Sequence, residues 1–182
     1  MNFIETAIPG VWIIEPKVWG DSRGYFVETF KQELFNEKVG KTNFIQDNES
    51  LSSYGVLRGL HYQLGEFAQA KLVRVIQGSV IDVAVDIRKS SSTFGKHVAV
   101  DLTSENKRQL FVPRGFAHGF VVTSKEAVFV YKVDNAYAPQ HERCIKFDDP
   151  DIGINWGIKS GEFKVSAKDN EGLLLKNAVV FD

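Results

Sequence analysis

Several short segments of the chain set ionisable or hydrogen-bonding side chains within otherwise apolar stretches. GVLRGLHYQ carries Arg58, His61 and Gln63, and the next stretch opens on Lys71 and includes Arg74. PRGFAHGF carries Arg114 and His118, VYKVDNAY carries Tyr131 and Tyr137, and SAKDN carries Lys168 and Asp169. Imidazole, ammonium, guanidinium, phenol and carboxylate are the groups of proton transfer and anion binding. Burying such groups costs free energy unless they are paired. If they converge on one cavity, they point to function. Each also has a plainer reading. A single histidine beside Leu and Tyr is often a hydrogen-bonded structural residue. Arg58 or Arg74 alone can be a surface cation lying over apolar neighbours. Tyr131 alternates with Phe129 and Val133 as a core tyrosine would, and Asp82 and Asp86 suit a solvated strand face.

The elements that must position these groups are strands. VIDVAVDI (80–87) alternates with period 2, Ile81, Val83, Val85 and Ile87 on one face and Val80, Asp82, Ala84 and Asp86 on the other. KLVRVI (71–76) precedes it across Gln77-Gly78, which reads as a tight turn. HVAVDL (97–102), QLFVP (109–113), GFVV (119–122), AVFVYKV (127–133) and RCIKF (143–147) follow, separated by short polar breaks. That spacing belongs to a sandwich or barrel. One helix is predicted from about Phe30 to Val39, with Thr29 and Gln32 as a capping box and Gly40 as its stop. No βαβ alternation, repeat or linker is visible, so the chain reads as one all-β domain spanning 1–182.

Composition narrows the partners. The chain has 182 residues, 22 Lys+Arg against 23 Asp+Glu and a formal net charge of -1. A whole-chain field able to hold nucleic acid or an anionic membrane is absent, although a local basic pocket is compatible with that total. Cys144 is the only cysteine, so no intrachain disulfide forms, which suits a reducing compartment. The N-terminus has neither a basic nor an apolar leader region, and no run approaches the roughly 20 apolar residues that span a bilayer. The expectation is a cytoplasmic protein.

A metal site is one sharp alternative. Gly55-x5-His61-x-Gln63, with Glu66 nearby, and Pro113-x-Gly115-x2-His118 resemble the two metal motifs of cupins. Gln63 stands where a second histidine is expected, which leaves a poor set for zinc or iron. The expectation is a cupin scaffold without a bound catalytic metal.

A more specific resemblance runs along nearly the whole chain. DSRGYFVE (21–28), FIQDNES (44–50), GVLRGLHYQ (55–63), AKLVRVIQGSVIDVAVDIR (70–88), VPRGFAHGF (112–120), VYKVDNAY (130–137) and SAKD (166–169) are similar, in order, to the dTDP-sugar epimerase family of the cupin superfamily. The resemblance implies a double-stranded β-helix jelly roll (cupin-like) with minor helical segments, working as a homodimer without metal or cofactor. It implies epimerisation of dTDP-4-dehydro-6-deoxy-D-glucose at C3 and C5, giving dTDP-4-dehydro-L-rhamnose in dTDP-L-rhamnose biosynthesis. Close relatives invert one centre only, and others are 3,4-ketoisomerases.

The resemblance also implies roles. His61 matches the base and Asp169 the carboxylate that orients it. Lys71 matches the cation facing the C4 oxygen, and Tyr131 the acid on the opposite face of the sugar. Arg23 and Arg58 resemble the diphosphate ligands, and His118 a substrate-contacting residue. Glu28, Gln46, Asp47 and Asn48 resemble the positions that recognise base and ribose. Tyr137 matches the aromatic stacked on thymine, with Phe26 adding to that wall, and Glu142 and Lys168 are further binding positions. The family's N-terminal strands cross the dimer interface, so some contacts are expected from the second subunit. Two positions depart from the pattern. Gly157 stands where proline is usual, implying a more flexible turn. Lys168 stands where arginine is also common, so the bidentate fork is lost there.

Overall fold

The computed structural model describes residues 1–182. Its elements, in chain order, are β1 (Asn2–Glu5), β2 (Trp12–Glu15), β3 (Val18–Asp21), β4 (Gly24–Val27), α1 (Gln32–Lys38), β5 (Gln46–Ser53), β6 (Val56–Gln63), β7 (Lys71–Gln77), β8 (Ser79–Asp86), β9 (His97–Thr103), β10 (Gln109–Val112), β11 (Phe116–Val122), β12 (Glu126–Val133), β13 (Glu142–Cys144), β14 (Lys164–Val165) and α2 (Ala167–Asn170). One sheet runs β1-β2-β10-β7-β12-β5 and the other β13-β6-β11-β8-β9, with β14 added in parallel to β6. β3 and β4 form a hairpin of their own. Successive strands from β5 to β8 and from β9 to β13 alternate between the sheets, the crossing pattern of a jelly roll.

Gln77-Gly78 is therefore not the turn of a hairpin within one sheet. It is a corner that passes the chain from the first sheet to the second. Gly78 sits at φ +77°, and a Cβ there would lie 2.1 Å from the Glu126 carbonyl oxygen, so the corner is open to glycine alone. Gly157 is similar. It adopts φ +69°, with the Ile81 side chain 2.5 Å from where a Cβ would be. Proline, locked near φ −65°, cannot enter that conformation. The turn is thus differently built rather than merely looser.

β8 has neighbours on both sides and packing on both faces. Val80 and Ala84 pack inside the sandwich with Val73, Leu110, Phe120 and Phe129. Val83, Val85 and Ile87 pack on the outer face beneath Ile145, Ile152 and Trp156 from the C-terminal region. The expected solvated face does not exist: Asp82 and Asp86 are both 0% exposed. They are tolerated because they are hydrogen-bonded. Asp86 accepts from Arg88, Ser91 and Thr93, and Asp82 is bonded to His118.

A third cluster covers the outer face of the first sheet. There α1 lays Phe35 against Ile14, Leu72 and Phe111, with Phe44 and Phe111 edge-on to its ring and Phe30 tilted against it. The helix is shorter than expected and starts after Lys31, with no side-chain cap. Gln32 does not reach back to Thr29. It bonds Asn36 and the Thr42 carbonyl, while the Thr29 carbonyl accepts from Gln109. Tertiary bonds displaced the expected capping box. No helix is long and apolar enough to cross a membrane.

Candidate active site

Between the two sheets lies a cleft of ≈ 340 Å³ whose walls include His61, Lys71, His118 and Tyr131. The same four residues border an adjoining chamber of ≈ 190 Å³ that adds Arg58, Glu49 and Ser50. The fold explains the convergence. His61 on β6 stands opposite His118 on β11. Lys71 opens β7, and Tyr131 lies on the neighbouring β12 of the facing sheet. Strand alternation turns these side chains inward.

Each histidine is backed by a buried carboxylate. His61 Nε2 lies 2.5 Å from Asp169 Oδ1, leaving Nδ1 without a protein partner. Asp169 is held in the first turn of α2, where its backbone N–H donates to Ser166 Oγ. Burial works to raise the Asp169 pKa, but hydrogen bonding and charge attraction from His61, with the Ser166 bond, outweigh it and hold the carboxyl below its ordinary value. An ionised Asp169 accepts the Nε2 proton, so the lone pair of neutral His61 resides on Nδ1. His118 forms the second pair, its Nε2 being 2.9 and 3.0 Å from the two Asp82 oxygens. The side chain of His61 is 26% exposed and that of His118 only 7%. His61 is therefore the more accessible imidazole.

Lys71 and Tyr131 complete the arrangement. The Lys71 ammonium has no salt bridge or hydrogen bond within the chain. Burial pushes its pKa down to about 8, against the pull of the Asp82 and Glu142 carboxylates. The Tyr131 hydroxyl also has no protein partner, and burial raises its pKa. It stays a neutral phenol that can give a proton. Asp82 was invisible as a functional residue in the sequence, where a carboxylate alternating with Val and Ala reads as exposed. If the Lys71 ammonium is the active form, activity persists below pH about 8 and falls as pH rises through it. Asp82→Asn removes a charge that favours the ammonium and is expected to move that alkaline limb to lower pH. The pH profile of kcat/KM checks this; an unmoved limb would separate Lys71 from Asp82.

The other predicted residues divide into groups. Gln46, Asn48, Tyr137 and Glu142 line the cleft with His61. Glu142 Oε2 accepts from Tyr137 and from Lys168, each at 2.5 Å, which ties the latter two together at the mouth. Arg58 reaches the adjoining chamber and donates to Ser52. Asp47 points the other way, as period 2 on β5 requires, and pairs with Lys132 on the outer surface. Arg114, outside the cleft, pairs with Asp134. Arg23, Phe26 and Glu28 lie on or just after the β3–β4 hairpin, outside this cleft, and Arg23 pairs with Asp21. Gln63 is no ligand. Its amide donates to the Phe67 and Ala136 carbonyls and accepts from the Ala138 N–H.

The site defines a class: a jelly roll whose interior cleft sets an oriented imidazole, an unpaired ammonium and a free phenol around one space, the equipment of an acid–base isomerase. The sequence profile of the dTDP-4-dehydrorhamnose 3,5-epimerase family matches residues 5–177. The dTDP-4-dehydrorhamnose 3,5-epimerase of Shigella flexneri is 56% identical over 182 residues, covering 100% of this chain and 99% of that protein. The crystal structure of the enzyme of that name from Elizabethkingia anophelis NUHP1 superposes with a TM-score of 0.94 at 50% identity, covering 97% of each chain. A dTDP-6-deoxy-D-glucose-3,5-epimerase from Legionella pneumophila Philadelphia 1, solved in complex with dTDP-4-keto-L-rhamnose, superposes with a TM-score of 0.93 at 48% identity, covering 97% of this chain and 93% of that one. The chain belongs to the dTDP-4-dehydrorhamnose 3,5-epimerase family and has its cupin-like jelly-roll fold.

Proposed function

We propose that this protein is an isomerase that converts dTDP-4-dehydro-6-deoxy-D-glucose to dTDP-4-dehydro-L-rhamnose by inverting C3 and C5, a step of dTDP-L-rhamnose biosynthesis. One observation carries the reading: His61 Nδ1, the Lys71 ammonium and the Tyr131 hydroxyl all lack protein partners and border the same space.

The substrate's C4 ketone acidifies the hydrogens on C3 and C5. His61 Nδ1 takes the proton, and Asp169 stabilises the imidazolium that forms. The electron pair moves to the C4 oxygen, where the Lys71 charge is worth a few kcal/mol. Tyr131 then protonates the carbon from the other face, and the carbonyl re-forms. The imidazolium and phenolate return to their starting states by exchange with solvent. No step changes the oxidation state of the sugar overall, so the reaction requires no hydride acceptor.

Arg58 and Lys168 are suited to the diphosphate. Tyr137, Gln46, Asn48 and Glu142 are placed to hold the nucleoside, with His118 nearer the sugar. Asp47 faces the outer surface, and a role for it in ribose or base recognition would require a change in β5. We assign Arg23, Phe26 and Glu28 to the cleft of a second copy in a homodimer. In support, their hairpin exposes Trp19 at 47%, Tyr25 at 60% and Phe26 at 67%, an aromatic surface of the kind that marks a protein interface.

The test is incubation with dTDP-4-dehydro-6-deoxy-D-glucose in D2O, with and without EDTA, followed by NMR of the sugar protons. Deuterium is expected at both C3 and C5, undiminished by EDTA. Exchange at one carbon alone would make the protein a single-site epimerase, and loss of exchange with EDTA would point to a catalytic metal. Light scattering of the same sample is expected to give the mass of two chains, and a one-chain mass would remove the shared-site assignment.

A further inference from the structure

The free thiol of Cys144 stands directly behind the acid–base pair. Cys144 is the β13 partner of His61 in the ladder with β6, and its Sγ lies 3.9 Å from the Asp169 carbonyl oxygen. One ligand atom each from His61, Cys144 and Asp169 falls within 4.8 Å of the others, two of the residues being half-buried and Asp169 buried. Nothing in the acid–base chemistry uses this sulfur.

Nitrogen, sulfur and carboxylate oxygen together make a donor set suited to a borderline-soft divalent cation. Zinc binds sulfur at about 2.3 Å and nitrogen or oxygen at about 2.0–2.2 Å, which in tetrahedral geometry spaces its ligands by about 3.3–3.6 Å. The His61–Asp169 contact of 2.5 Å would open by roughly an ångström to reach that spacing. The cysteine would close by a similar distance from the outer limit of the cluster. Both movements are of side-chain size.

We propose that His61, Cys144 and Asp169 form an inhibitory zinc site, in which the metal occupies the space of the proton shared by His61 and Asp169. The coordination can be followed atom by atom. Neutral His61 carries its proton on Nε2 and its lone pair on Nδ1. A zinc ion bonded to Nε2 displaces that proton to Nδ1, and the thiol gives up its proton to solvent as the Zn–S bond forms. The ring then has no lone pair facing the substrate. Asp169 is engaged by the metal and no longer stabilises an imidazolium. The same residues that make the base are silenced by one ion.

The binding half of this inference stands on the donor geometry alone, whereas the inhibitory half rests on His61 being the base. The experiment reads them separately. Metal-free wild type and Cys144→Ser are titrated calorimetrically with Zn2+, and with Co2+ followed by absorption for a thiolate-to-cobalt charge-transfer band. Deuterium exchange into the sugar is measured in parallel. One Zn2+ per chain is expected, with a cobalt–thiolate band in the wild type only. Cys144→Ser should weaken zinc binding at least about tenfold, the lower end of what even outer partners of a metal site cost. Zn2+ should suppress exchange in the wild type and EDTA should restore it. The serine variant should exchange normally without metal and need correspondingly more zinc for inhibition. Equal zinc affinity in the two proteins, or absence of the cobalt–thiolate band, overturns the site. Zinc bound through Cys144 with exchange undiminished overturns the inhibition. A protein that exchanges at neither carbon in any condition speaks against the proposed function, while the calorimetric and cobalt measurements still decide the metal site.

Discussion

His61→Ala is expected to abolish deuterium uptake at C3 and at C5 together, lowering both rates by roughly 100- to 10,000-fold, the usual worth of a positioned general base. The loss should be joint because the cleft offers a single well-placed, accessible imidazole. His118 is the only other histidine on these walls, and its Nε2 is already bonded to both oxygens of Asp82. Two bases would instead divide the effect, with one carbon still exchanging. The substitution should leave the fold intact. His61 is half-buried at the cleft and belongs to none of the three apolar clusters, so no core packing is lost; the cost is that buried Asp169 loses the partner of its carboxylate, which is expected to lower the melting temperature without changing the fold. Circular dichroism and thermal melting of the variant provide the control. Residual exchange at one carbon near the wild-type rate would mean that a different group abstracts that proton.

His61, the proposed base, stood out in the chain only as an imidazole among apolar neighbours, which reads as readily as a structural residue, and its partner could not be derived that way at all. Asp169 lies 108 positions downstream, on a four-residue helix that carries no periodicity to detect. Only similarity to a family connected the two. The strands from β7 to β12 were legible because they are short apolar runs between polar breaks, with clear alternation in β8. β5 was not, because its sequence QDNESLSS is almost wholly polar. It is an edge strand, with one face toward the cleft and the other toward the outer surface. The β3–β4 hairpin escaped pattern reading for a related reason: its aromatic residues have no covering layer within the same chain. Asp82 and Asp86 were misread because period 2 predicts which face a residue shares and says nothing about what covers that face. In β8 both faces are covered, and the carboxylates persist there only through partners that are distant or loop-borne.

Tyr131→Phe should separate two events that inversion normally couples. Proton abstraction by His61 does not need the phenol, so exchange of the sugar protons with D2O should continue at a rate of the same order as the wild type. Net inversion needs a proton delivered to the opposite face, and that rate should fall by roughly 100- to 10,000-fold. The expected signature is deuterium entering the substrate with its configuration retained, because the protonated His61 can only return a hydron to the face it came from. The phenol is suited to the task because burial raises its pKa, keeping the proton on oxygen until an enolate carbon accepts it. The change is a clean one structurally. The hydroxyl has no hydrogen-bond partner in the chain, so phenylalanine leaves no buried group unsatisfied. The ring remains packed against Phe129, with centroids 6.0 Å apart. NMR resolves the two outcomes in one sample, since the retained and inverted sugars differ in coupling constants while the deuterium content reports abstraction. Equal losses of exchange and inversion would place Tyr131 in the abstraction step itself, and unimpaired inversion would show that the proton on the far face comes from another donor, such as water.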